Sequence, residues 1–217
     1  VLLSTAYFPP VEYFAVIAED FSIEGKPSRV YIEACENYQK QSYRNRCRFY
    51  AADGVQSLSV PVVHEGGTYQ LPVCDIKIDY SSGWLVKTER AIISAYETSA
   101  YFDYYKDELF AILESKKEKL FDLNMALLDF FLAKTGIKAD ISLTEDFTGP
   151  DSGSSLYGED FRDVIHPKKH NDILHSMQLE KPYFQVFSGK YGFIPNLSIM
   201  DLLFNEGPDS ILYLKKV

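Results

Sequence analysis

Apolar positions recur along this chain with two periods, and the chain switches between them more than once. Val1 to Thr5 is a short apolar run that reads as a buried strand, ended by the turn Phe8-Pro9-Pro10. From Val11 to Ala18 the spacing of Tyr13, Phe14 and Ile17 is helical, so the chain opens as strand, turn and helix. A second strand is predicted around Arg29 to Glu33. Arg44 to Ala51 and Val55 to Val62 flank Asp53-Gly54, a hairpin signal because a type I′ turn needs positive φ at both central positions. Cys74 to Asp79 alternates as a further strand beyond the Gly66-Gly67 loop.

The middle of the chain changes to the helical period. Trp84, Thr88, Ala91, Ile92 and Ala95 share one face; Phe102, Tyr105, Leu109 and Leu113 continue it after a break near Ser99. Ser115 and Glu118 have the spacing of a capping box ahead of the apolar face Leu120, Leu123, Leu127, Leu128, Phe131 and Leu132, and Gly136 is the predicted stop. A strand is expected at Ala139 to Leu143. Phe147 to Gly158 is rich in Gly, Ser and Asp without an apolar period, which reads as a mobile loop. Tyr183 to Phe187 reads as a late strand. Ser198 to Phe204, with Asp201 three residues after Ser198, reads as a short capped helix ending at Asn205-Glu206-Gly207-Pro208. No repeat and no long linker interrupts the chain. The expectation is therefore one α/β domain over residues 1–217, a mixed sheet with an antiparallel hairpin and a helical middle section.

Composition narrows the class. An apolar content of 46% with 24% charged residues matches a chain that buries a core. Sixteen Tyr and fifteen Phe against one Trp point first to a bulky core and second to a ring-lined groove. A formal charge of −9 argues against a nucleic-acid partner, because affinity for polyphosphate comes from Lys and Arg displacing counterions. Cys35, Cys47 and Cys74 are odd in number and far apart with no CxxC pair, which predicts reduced thiols, no structural zinc and a cytoplasmic location. Val1-Leu2-Leu3 is apolar only briefly and soon meets Pro9-Pro10, the layout of neither a membrane span nor a signal peptide.

Two basic clusters are candidates for chemistry. If the chain is extended from Arg44 onward, a period of two puts Arg44, Arg46 and Arg48 on one face, with Asn45, Cys47 and Phe49 on the other. Such a row of planar, permanently charged groups is either an anion platform or a solvated face neutralised by nearby acids. The second cluster is Arg162-Asp163-Val164-Ile165-His166-Pro167-Lys168-Lys169-His170. His166 and His170 stand four apart, but Pro167 separates them and no HExxH-type acid is near, so no metal is predicted. Phosphate or carboxylate contact by Lys168 and Lys169, with His166 as acid or base, is the functional reading; an exposed charged turn is the plain one. Glu33, Glu36 and Asp201 are candidate general bases. No GxSxG elbow, P-loop or GxGxxG fingerprint occurs, and no cofactor is called for.

Three segments together resemble the WbqC-like protein family, found in bacterial surface-polysaccharide and O-antigen gene clusters. They are Tyr7-Phe8-Pro9 followed by Tyr13-Phe14; Tyr38, Lys40, Asn45, Arg46 and Arg48, matching a Tyr-x-Lys and an Asn-Arg-x-Arg pattern; and the block from Phe193 to Pro208. Ser4-Thr5 stands where many members have Gln-Pro, Ala34-Cys35 where many have paired acids, and a later glycine-rich segment is not recognisable. The resemblance implies a divergent branch of a family that takes part in polysaccharide assembly. It implies a small-molecule substrate, a sugar nucleotide or acyl donor, and transfer of an acyl or aminoacyl group to a nucleotide-activated sugar. The resemblance and the late basic cluster taken together give the site expected here: Tyr38, Lys40, Asn45, Arg46, Arg48, Lys169 and Asn205 bind substrate, and His166, Lys168 and Asp201 carry the chemistry. The alternative is a noncatalytic assembly protein that recognises a glycan intermediate or a partner enzyme. The oligomeric state is left open.

Overall fold

A computed structural model of the chain describes residues 1–24 (20–24 by backbone alone), 26–64, 70–149 and 156–215. Its main elements, in chain order, are β1 (Leu2–Ser4), α1 (Val11–Glu24), β2 (Ser28–Glu33), β3 (Arg46–Ala51), β4 (Gly54–Ser59), α2 (Trp84–Tyr96), α3 (Phe102–Glu114), α4 (Leu120–Thr135), β5 (Ala139–Leu143) and α5 (Ile199–Glu206). Helices and strands interleave, as an α/β class requires. Parallel strands pair in the order β1-β2-β5, with Leu3 opposite Ile32 and Val30 opposite Ile141. The hairpin β3-β4 forms a separate antiparallel ribbon in which Ala51 pairs with Gly54 across the two-residue turn Ala52-Asp53. The turn is not the type I′ expected at Asp53-Gly54, because Gly54, with φ of 108°, takes the positive φ alone and neither Ala52 nor Asp53 does.

Local chemistry explains most boundaries. Helix α1 begins directly after Pro9-Pro10, and its first free amides find partners near the other end of the chain: Val11 N–H donates to the Leu197 carbonyl at 2.9 Å and Glu12 N–H to Asn196 Oδ1 at 3.0 Å. Helix α4 stops at Gly136, whose φ of 76° is left-handed, as expected for a glycine stop. Helix α5 is capped by Ser198, whose hydroxyl accepts from Met200 N–H at 3.3 Å.

Four further expectations require correction or restriction. Cys74–Asp79 is not a strand: Pro72 is followed by a 3₁₀ turn, Val73–Asp75, and only isolated bridges follow, Lys77 to Lys119 and Ile78 to Val62. Ser115 and Glu118 form no capping box; Ser115 Oγ donates to the Ile112 carbonyl, Glu118 pairs with Lys77, and α4 starts from Lys119 without a side-chain cap. Tyr183–Phe187 is irregular rather than extended in a ladder: Phe184 N–H donates to the Glu206 carboxylate at 3.0 Å, and the Gln185 side chain bonds the backbone of Ile194. The Gly66-Gly67 loop and the centre of the 147–158 loop, residues 150–155, lie outside the described residues.

The buried apolar residues form one connected cluster running from Leu3 to Leu214. Phe131 of α4 packs edge-on against both Phe8 and Phe14, at centroid separations of 5.8 and 6.2 Å. Each such ring contributes about 1.5–3 kcal/mol through burial. Phe8 holds a positive φ of 45° while fully buried, so packing overrides its backbone preference and fixes the turn that leads into α1.

Candidate functional site

The polar face of β3 follows from its alternation. Cys47 and Phe49 are buried, whereas Arg46 and Arg48 keep partial access to solvent on the other side. Arg44 is not part of that row. The strand begins only at Arg46, and the Arg44 guanidinium turns inward, its Nε donating to Glu36 Oε1 at 2.9 Å and its Nη2 to Ser4 Oγ at 2.9 Å.

Beside Arg48 opens a cleft of about 340 Å³. Its walls come from three distant parts of the chain: Arg48 and Tyr43 from the hairpin and its approach, His166 and Lys169 from the late basic segment, and Glu12 with Asn196 from the start of α1 and the loop that caps it. The structure thus brings Arg48, His166 and Lys169 together. His166 Nδ1 accepts from Lys168 N–H at 3.2 Å, which leaves the imidazole proton on Nε2 in the neutral form. Burial, then Lys169, Arg44 and Lys168, lower the His166 pKa, so the ring is chiefly neutral near neutral pH. Tyr43 is pushed up to about 12, by burial first and by the nearby Glu12 carboxyl second; a hydrogen bond with Arg48 pulls the other way.

Glu12 and Tyr43 were not among the sequence candidates. Glu12 is only 2% exposed, and burial raises its pKa against the pull of hydrogen bonds from Asn196 and Asn171. A signal existed: Glu12 is the lone charged residue in Val11–Ala18, an otherwise apolar turn sequence directly after two prolines.

The remaining candidates sit elsewhere. Lys168 bonds Gln41 and does not line the cleft; Lys40 is exposed and Tyr38 buried. Asn45 Nδ2 donates to the Val60 carbonyl at 3.0 Å, holding the open end of the hairpin. Arg46 lies opposite Ser59. Asn205 Nδ2 donates to the Asp201 carbonyl within α5. Asp201 is fully buried and accepts from Tyr96, Tyr183 and Gln185 at 3.0, 2.7 and 2.8 Å. Gln185 in turn clamps Ile194, donating to its carbonyl and accepting from its N–H, both at 2.9 Å. Asp201 therefore stands behind the cleft wall formed by Ile194 and Asn196.

The other acids are committed to structure. Glu33 accepts from Thr144, Thr148 N–H, Cys35 N–H and Arg162 at 2.7–3.1 Å, and Arg162 also grips Asp160. These charges gather at the carboxyl ends of the parallel strands, beside a second crevice of about 530 Å³ lined by Glu36, Asp160 and Arg162. The three thiols are free. Among the described residues no helix is long and apolar enough to cross a membrane.

Fold and site together define an α/β protein with a parallel three-stranded sheet, an attached hairpin and an open polar cleft that mixes fixed cations with a buried carboxyl. The chain belongs to the WbqC-like protein family, whose profile matches residues 5–166. That span contains Tyr7 to His166 but not the Phe193–Pro208 block, which supplies the cap of α1 and the cleft wall. The chain is also similar to the uncharacterized protein Rv1507c of Mycobacterium tuberculosis (strain ATCC 25618 / H37Rv), with 26% identity over 82% of this chain and 84% of that protein. No solved structure matches.

Proposed function

We propose that this protein acts in bacterial surface-glycan assembly as a cytoplasmic enzyme that binds a nucleotide-activated sugar and transfers an acyl or aminoacyl group to it. The observation that carries the proposal is the convergence of Arg48, Lys169 and His166 on one cleft, although hairpin and basic turn are far apart in sequence. In this reading Arg48 holds a phosphate through its planar fork and Lys169 adds a mobile charge. His166, neutral and beside them, moves the proton. Asn45 holds the open end of the hairpin that carries Arg48. Asp201, expected from sequence to carry chemistry, and Asn205, expected to bind substrate, become positioning residues, Asp201 holding the wall through Gln185 and Asn205 bonding the Asp201 carbonyl. Lys168 sets the tautomer of His166 through its own N–H.

Noncatalytic recognition of a glycan by stacking rings has less support, because many of the large rings, Tyr7, Tyr50, Tyr96, Phe14 and Phe131 among them, are in the core. The proposal is tested by thermal shift with UDP-glucose. A ligand at a hundred times its Kd adds about 2.7 kcal/mol, which for a chain of this size raises Tm by about 5–10 °C. Wild type should show that rise and Arg48→Ala should not; equal shifts in both would overturn the anion site.

A further inference from the structure

Glu12 poses a physical question that anion binding leaves unanswered. Its side chain is 2% exposed, yet it borders the same cleft as Arg48 and Lys169. A carboxylate removed from water is ordinarily compensated by a cation. Two other buried acids follow that rule: Glu36 has Arg44, and Glu33 has Arg162. Asp201 has three neutral donors instead, from Tyr96, Tyr183 and Gln185, and does not line the cleft. Glu12 does not follow the rule either. Among the described residues no cation forms an ion pair with it, and its partners are the uncharged amides of Asn196 and Asn171.

Those two amides are themselves fixed. Asn196 also accepts from Glu12 N–H, at 3.0 Å, in a left-handed conformation with φ of 54°, and Asn171 accepts from Ile173 N–H at 3.1 Å. The Asn171 amide donates to the Val164 carbonyl as well. Donors locked on both sides hold the carboxyl in one orientation, the arrangement expected of a recognition group rather than a surface acid. The cleft is therefore bipolar: guanidinium and ammonium come from Arg48 and Lys169, the latter also near Asp163, and the carboxyl without an ion-pair partner is Glu12, because Asp172 and Glu180 on the same wall pair with His170 and His175. Tyr43 touches Arg48 and senses Glu12.

We propose that the ligand of this cleft carries a protonated amine as well as an anionic group, and that Glu12 receives the ammonium while Arg48 and Lys169 hold the anion. This names the substrate class within the reading above, on whose anion site it rests: an amino-sugar nucleotide fits, and a neutral-sugar nucleotide lacks the group that Glu12 reads. The two amides and the start of α1 offset the desolvation of Glu12 in part, and the amine supplies the countercharge they lack.

Two matched pairs of probes separate this inference from the broader one. O-phosphoethanolamine is compared with ethyl phosphate, and UDP-glucosamine with UDP-glucose, by calorimetric titration of wild type, Glu12→Gln and Arg48→Ala. Wild type should bind each amine-bearing member about tenfold tighter than its partner, the effect of one charge-assisted hydrogen bond. Glu12→Gln should lose that preference while still binding ethyl phosphate, which reports that the site is folded; Arg48→Ala should weaken all four. No preference in wild type, or a preference that survives in Glu12→Gln, overturns the inference. If Glu12→Gln binds nothing, Glu12→Asp decides: a retained amine preference supports the assignment and its loss refutes it. An amine preference confined to the small phosphates, with neither sugar nucleotide bound, sinks the sugar-nucleotide reading and leaves the role of Glu12 standing.

Discussion

Arg44, Arg46 and Arg48 show how little spacing decides about an individual side chain. All three satisfy the same alternation, but Arg44 precedes the strand and its charge is spent on Glu36 in the interior. Removing it strands a buried carboxylate, so Arg44→Ala should lower stability by about 3–5 kcal/mol in urea denaturation. A loss within the range of a surface ion pair would show that Glu36 is not buried as described. Asp201 supports a second prediction. Burial pushes its pKa up to about 6, despite the hydrogen bonds from Tyr183, Gln185 and Tyr96 that favour the charged form. Between the ordinary carboxylate value of 3.8 and about 6, the folded protein binds more protons than the unfolded chain, so stability falls as pH rises through that window. The contribution is on the order of 3 kcal/mol, at about 1.4 kcal/mol per pH unit. Asp201→Asn should flatten this slope; an unchanged profile would mean that Asp201 ionises normally.

At the scale of elements, turn chemistry separates two glycines. Gly54 has φ of 108° with open space where a Cβ would stand, whereas Gly207, φ 55°, would place a Cβ 2.4 Å from the Tyr101 ring. Gly207→Ala adds overpacking of about 1–3 kcal/mol to the backbone strain. It should therefore lower Tm more than Gly54→Ala; the reverse order would contradict the packing of α5 on the approach to α3. These cases also show which elements were legible. Gly136 was readable because its left-handed stop is dictated by the residue itself. Asp53-Gly54 marked the hairpin but not its turn type, since Gly54 takes its positive φ as the first residue of β4. Cys74–Asp79 and Tyr183–Phe187 were not readable, because alternation cannot say whether a ladder partner is present; Phe184 N–H, for one, goes to the Glu206 carboxylate instead. In the cleft, Arg48 and His166 were legible from charge and residue type. Glu12 stood out as the lone charge in Val11–Ala18, but its place in the cleft did not, since it meets Asn196, 184 positions away.

At the scale of the molecule, the apolar cluster from Leu3 to Leu214 crosses every main element. One cooperative transition in scanning calorimetry is expected of the single folding unit inferred from sequence; two resolved transitions would divide it. The same connectivity is what brings the hairpin, the basic turn and the start of α1 to one opening in a chain of net charge −9. The most direct test of that arrangement is a crystal structure of the protein soaked with UDP-glucosamine. The diphosphate should lie against Arg48 and Lys169 with the amine on Glu12. A nucleotide bound instead in the crevice beside Glu36, Asp160 and Arg162 would contradict the account.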